Sequence, residues 1–229
     1  MDKIIINKVT SACLEIFSDK KEFELPSEYN YRHLPLCVID AVFSIGVRYQ
    51  GVTNTINKFC NYFKIDKFSA NEELTVSGFL TLIEGQSIQS ITDNIFINRQ
   101  RTSARNGILK TEAVILFHQT LRKFHFESLN DVKRFATNSQ LEDSIRLIPG
   151  QRSGISFKYF LMLAGTDDLI KPDRMILRFL ESLGIKGITL YDSEILFNDV
   201  VGQMNSFGFN LTPRKLDNLI WNYQRQIGS

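Results

Sequence analysis

Residues Ile148 to Phe179 read IPGQRSGISFKYFLMLAGTDDLIKPDRMILRF. The stretch parses as a Pro-Gly turn, an amphipathic helix, a polar loop, and an aspartate at the mouth of a further helix. Ile155, Tyr159, Met162 and Leu163 supply the apolar stripe of the first helix. Met175, Ile176, Phe179, Leu180 and Leu183 supply that of the second. Recurrence at three and four residues is the period of a helix, not of a strand.

Outward from this stretch the same period continues. Val38, Val42, Ile45 and Tyr49 form one apolar series after Pro35, and Val52, Ile56, Phe59, Cys60 and Phe63 another. Leu109, Ala113, Leu116, Phe117, Thr120 and Phe124 form a third. Ser139-Gln140-Leu141-Glu142 has the form of a capping box, with Leu141, Ile145 and Ile148 on one face behind it. Thr212-Pro213 reads as an N-cap with proline at the first helical position, opening Leu216, Leu219, Ile220 and Tyr223. Ile4–Ile6 and Ile188–Tyr191 are short apolar runs compatible with either helix or strand. The expected fold is all-α with roughly ten helices. The 229 residues suffice for one large domain or two small ones sharing a core.

Composition excludes several classes. Hydrophobic residues make up 43% and charged residues 23%, the balance of a water-soluble globular chain. No apolar run reaches the roughly 20 residues of a membrane span, and MDKIII is too short for a signal peptide. Cys13, Cys37 and Cys60 are odd in number, far apart and set among apolar neighbours. They are expected to pack in a reducing cytosol rather than pair. His33, His118 and His125 have no ligand spacing, so no metal and no cofactor is assigned. The net charge of +2 neither requires nor excludes a nucleic-acid partner, which only local clustering can indicate.

Two features carry chemistry. Glycine after proline allows a tight turn and close approach of another backbone. The helix behind it begins with unpaired N–H groups, which attract anions. Pro149, Gly150, Gln151, Arg152, Ser153, Gly154 and Ser156 are the candidate phosphate-binding residues. A plain turn between two helices accounts for the same residues. Asp173 opens the next helix, where a carboxylate caps N–H groups and complements the helix dipole. A fixed anion there can also stabilise a developing cation or orient water, and the two roles are compatible. Asp167 and Asp168 read as solvated or capping. Asn98–Lys110 holds Arg99, Arg101, Arg105 and Lys110 and no acid, which suits either a solvated loop or a contact to a phosphate backbone.

The order of these features resembles the helix-hairpin-helix DNA glycosylase superfamily. That family has a Leu-Pro-Gly-x-Gly hairpin, a helix, and an Asp opening the following helix. Ile148-Pro149-Gly150 matches the first half of the hairpin. Asp173 falls at the catalytic aspartate, and Arg178 matches a basic residue five positions later. Arg152 stands where the second glycine is expected, with Gly154 in its place if the loop is longer. Gly154 or Ser156 stands where bifunctional members carry a lysine nucleophile, and Lys158 lies a turn further on. No iron–sulfur cysteines follow Leu183.

The resemblance implies a two-lobed fold with a cleft between lobes. Residues 34–160 would form a six-helix lobe ending in the hairpin motif, and residues 1–33 plus 161–229 the second lobe. It implies a monofunctional enzyme of base-excision repair. Such an enzyme hydrolyses the N-glycosidic bond of a damaged or modified base flipped from double-stranded DNA, with Asp173 catalytic and no lyase step. Tyr49, Trp221 and Tyr223 are candidates for stacking on the base, with core packing the competing role. A monomer in the cytoplasm, at the nucleoid if bacterial, is expected. The alternatives are a DNA-binding protein that keeps the fold without catalysis, and an unrelated helical interaction module in which Asp173 only caps. Repair of damage and attack on modified foreign DNA both remain open.

Overall fold

A computed structural model describes residues 2–26, 30–47, 49–69, 73–135, 139–171 and 173–227. Twelve α-helices run along the described residues: α1 Lys3–Ile16, α2 Leu34–Phe43, α3 Tyr49–Phe63, α4 Val76–Leu82, α5 Ile88–Ser90, α6 Lys110–Lys123, α7 Leu129–Phe135, α8 Ser139–Arg146, α9 Ile155–Leu163, α10 Arg174–Ser182, α11 Leu190–Ser206 and α12 Pro213–Ile227. A π-helical segment, Ile91–Phe96, continues α5. The chain is all-α. Among the described residues the sole β feature is one antiparallel bridge, Arg101 to Leu109. No helix is long and apolar enough to cross a membrane among those residues.

The chain divides into two compact units. One comprises Met1–Ser27 with Thr166–Ser229, the other Glu28–Gly165. In the first, α1 packs on α11, and α10 packs on α12. Ile6, Val9 and Cys13 of α1 join Ile176 and Phe179 of α10, Phe197 and Val200 of α11, and Leu216 and Ile220 of α12 in one core. The ambiguous run Ile4–Ile6 is therefore helical. Its spacing to Val9 and Cys13 is what puts one face of α1 inside. Thr212 caps α12, its Oγ1 accepting from the Lys215 N–H at 3.2 Å.

In the second unit α2 is central, and every one of its ten residues is buried. Helices α3, α4, α6 and α9 pack around it. A helix apolar on all sides has to be enclosed in this way. Phe59 meets Phe79 and Phe96 with ring centroids 5.6 and 5.7 Å away. Cys13, Cys37 and Cys60 are buried, and burial pushes the thiols of Cys13 and Cys60 up to about 12.

The apolar series from Val38 to Tyr49 is not one helix. The α2 helix stops at Phe43, Gly46 turns with a φ of +72°, and Tyr49 begins α3. The break is stabilised from another element. Lys110 is buried and its Nζ donates to the carbonyls of Phe43 at 2.9 Å and Ile45 at 2.7 Å. A cation at a helix C-terminus satisfies carbonyls that the helix leaves unpaired.

Candidate functional site

In the unit spanning Glu28–Gly165, the segment from Ile148 to Gly154 is a double turn. The Gln151 N–H donates to the Ile148 carbonyl at 2.9 Å, and the Gly154 N–H to the Gln151 carbonyl at 3.0 Å. Pro149 and Gly150 hold the central positions of the first turn, and Gly150 has φ +87°. That pairing suits a type II turn, where only glycine tolerates the third position easily. Gly154 ends the second turn at φ +74° and is the N-cap residue of α9. Gly154 is thus the second positive-φ glycine of the segment, two residues beyond Arg152.

The hairpin residues divide by exposure. Pro149, Gly150, Arg152 and Ser153 are exposed. Gln151 and Ser156 are buried, and the Ser156 hydroxyl donates to Gln151 Oε1. Their side chains close the turn from within rather than face a ligand. Gly154 is buried as well.

The basic stretch Asn98–Lys110 is built rather than loose. The Thr102 N–H donates to the Ile108 carbonyl at 2.9 Å and the Lys110 N–H to the Gln100 carbonyl at 2.8 Å. A Cβ on Gly107 would fall 2.3 Å from the Ser103 nitrogen, so the hairpin closes only with glycine there. Arg99, Arg101 and Arg105 are exposed. Arg99 pairs with Asp93 at 2.7 Å, and Arg101 donates to the Gly107 carbonyl at 2.6 Å. Lys110, expected with them, is instead consumed by α2.

Asp173 belongs to the other unit. It is the N-cap of α10, in extended backbone, and its Oδ1 accepts from the Met175 N–H at 2.7 Å. The capping role is real. Pro172 lies outside the described residues. A second carboxyl is tied to the same turn: Asp217 of α12 accepts from the Lys171 N–H at 3.1 Å, while the Asp173 N–H donates to the Lys171 carbonyl at 2.8 Å. Withdrawal from water, reinforced by the negative charge of Asp173, pushes the Asp217 carboxyl up to about 8. Lys171 and Arg214 oppose that rise. Asp167, expected as solvated or capping, binds Arg214 through both its carbonyl, 3.2 Å, and its carboxylate, 3.3 Å. The loop ahead of Asp173 is therefore pinned to the start of α12 at Asp167 and Lys171. Asp173 and Asp217 thus meet one turn, the second with its carboxyl raised by burial and by the charge of the first.

The three aromatic candidates have different surroundings. Tyr223 is half-buried and packs edge-on against Phe17 and Phe179, with centroids at 6.1 and 6.2 Å, against the core of its unit. Trp221 is half-buried, with the Arg225 guanidinium 4.5 Å above its ring. Tyr49, in the other unit, donates its hydroxyl to Asp40 Oδ2 at 3.2 Å. Tyr31 donates to the same oxygen at 2.9 Å. Asp40 is fully buried in the apolar α2 helix, and burial and that negative charge raise the Tyr31 hydroxyl far above its ordinary value. A lone acid in LPLCVIDAVF was the visible signal for this network. His118 stacks on Phe79 at 3.8 Å, and burial lowers it to about 3, so it is neutral. No group of three His, Cys, Asp or Glu among the described residues could hold a metal ion. A groove of about 400 Å³ bordered by Leu80, Ile83, Ile91 and Arg122 contains none of the candidate residues.

No curated protein and no solved structure matches the chain. A family model described as a domain of unknown function, DUF8548, matches residues 7–225, and the chain belongs to that family.

Proposed function

We propose that this protein is a monofunctional DNA glycosylase with a helix-hairpin-helix glycosylase-like fold. It would hydrolyse the N-glycosidic bond of a damaged or modified base in double-stranded DNA. One observation carries the reading. A double turn with two positive-φ glycines feeds α9, and the next helix opens on an aspartate fixed by its own cap. The first element suits a phosphate backbone, the second a developing sugar cation.

The base must leave the stack before its bond can be reached. As that bond lengthens, positive charge grows on the sugar. The Asp173 carboxylate, already fixed in one rotamer by the Met175 N–H, stabilises that charge without reorganising. It also orients the attacking water and accepts its proton. The free base and an abasic site are the products. No Schiff base forms, because Gly154 or Ser156 stands where the resemblance puts a lysine nucleophile, and Lys158 lies a turn beyond. The hairpin lies in one unit and Asp173 in the other.

The second reading is a DNA-binding protein without catalysis. It is favoured by the same bond from Met175, which accounts for Asp173 as a cap alone. A panel of duplex oligonucleotides carrying different modified bases distinguishes the two. Strand breaks that appear only after heating in alkali are expected for at least one lesion. Duplex binding with no break on any substrate supports the second reading, and breaks without alkali contradict the absence of lyase chemistry.

A further inference from the structure

The Pro149-Gly150 turn and the basic Asn98–Lys110 hairpin are in direct contact. A Cβ built on Gly150 would lie 2.2 Å from Thr102 Cβ and 2.7 Å from its Oγ1. No ordinary side chain fits there, so the Gly150 backbone is seated against the Thr102 side chain. The two segments are about fifty residues apart in sequence, yet they form one continuous surface. Each is internally braced, the first by its two turn bonds and the second by the Arg101–Leu109 bridge and the Gly107–Ser103 approach.

Arginines outnumber carboxylates on this surface. Arg99, Arg101 and Arg105 are exposed on one segment, and Arg146 and Arg152 on or beside the other. Asp93 pairs with Arg99, and Glu142 lies 3.5 Å from Arg146. Among the described residues no carboxylate pairs with Arg101, Arg105 or Arg152. The Arg146 Nε donates to the Arg152 carbonyl at 3.1 Å, which braces the second turn from the α8 side. Ser153 adds an exposed hydroxyl. Cations carried on two braced segments suit a ligand with anions repeated along its length. A phosphodiester backbone is that ligand, and arginine forks bind phosphate oxygens well.

We propose that the Arg101–Arg105 hairpin and the Pro149–Ser153 turn form a single composite surface that grips the backbone of duplex DNA. The Thr102–Gly150 contact fixes their register. The surface would contribute affinity and orientation, not base choice. It rests on the DNA-binding half of the proposed function and is independent of the role of Asp173.

Fluorescence anisotropy with a labelled, lesion-free DNA duplex tests it, read at about 50 mM salt and above, where phosphate contacts set the affinity. Arg105→Glu combined with Arg152→Glu is expected to weaken binding about tenfold or more and to flatten the log–log salt dependence by roughly two units. Lys123→Glu, at the exposed end of α6, is expected to bind as wild type. Superimposable thermal melts by circular dichroism show that the variants fold. A double variant that folds and binds like wild type overturns the proposal while leaving excision by Asp173 open. A wild type that binds no duplex overturns both the surface and the DNA reading. Stronger binding to an RNA duplex than to DNA overturns the assignment of the partner.

Discussion

At the scale of single residues, Asp173 and Asp217 matter most. Asp173 was legible because two local signals coincide on it: a polar loop before it and an apolar helical stripe after it. Asp217 was not legible, since nothing in its own neighbourhood distinguishes it from a solvated residue on an amphipathic helix. Its meaning comes from the Lys171 N–H, which tertiary packing brings to it. Asp217 has a measurable consequence. In the unfolded chain an aspartate ionises near about pH 4, whereas the folded Asp217 ionises at about 8. Between those values the folded state holds a proton that the unfolded state has released. Stability from this group is therefore full below the lower value, falls as pH rises through the window, and levels off above the upper one. Asp217→Asn should remove that decline, so denaturant melts of the variant gain on wild type as pH is raised from about 4 to about 8. A constant difference across the window would contradict the assignment. Carboxyl ¹³C NMR should also show Asp217 titrating at lower pH in Asp173→Asn, because a neighbouring negative charge is gone.

At the scale of elements, helical periodicity located the helices but not the places where they end. The Val38–Tyr49 series keeps its spacing across Ser44–Gly46 by coincidence. The stop is enforced by Lys110, far along the chain, through the Phe43 and Ile45 carbonyls. In the same way the basic stretch could be read only as charge. Its hairpin depends on Gly107 packing on Ser103 and on a bridge no local pattern announces. Pro149-Gly150 was legible as a turn from its two residues, and the seat of Thr102 against it was not. Gly150→Ala should show how much that seat matters. The new Cβ meets Thr102 at 2.2 Å in a backbone with φ +87°, so both sterics and conformation oppose it. A loss of about 2 kcal/mol or more is expected in urea unfolding, against well under that for Gly51→Ala, which meets nothing within 4 Å. Equal, small losses would show that the two hairpins separate at little cost.

At the scale of the whole molecule, the all-helical class was legible from the period alone, since no segment alternates with period two. The joining of the first and last segments into one unit was implied by the resemblance and not by the period. Its evidence is tertiary: Ile6, Val9 and Cys13 of α1 lie in the same core as α11 residues nearly two hundred positions later. Removal of α1 should therefore cost the C-terminal segment its fold. A chain lacking Lys3–Ile16 is expected to lose more helical signal than the deleted residues supply, and to expose sites in α11 and α12 to protease. Retention of the full remaining helicity, with no new cleavage, would contradict a shared core.

The central claim is that Asp173 performs chemistry and does not only cap α10. Asparagine is about as good an N-cap as aspartate, so Asp173→Asn keeps the bond to the Met175 N–H and removes the charge. Single-turnover excision on whichever lesion duplex the wild type processes is the direct measurement, with binding to that duplex measured alongside. Duplex affinity close to that of wild type and a rate lower by about 100-fold or more is the predicted result. An Asp173→Asn variant that excises at the wild-type rate would contradict the account.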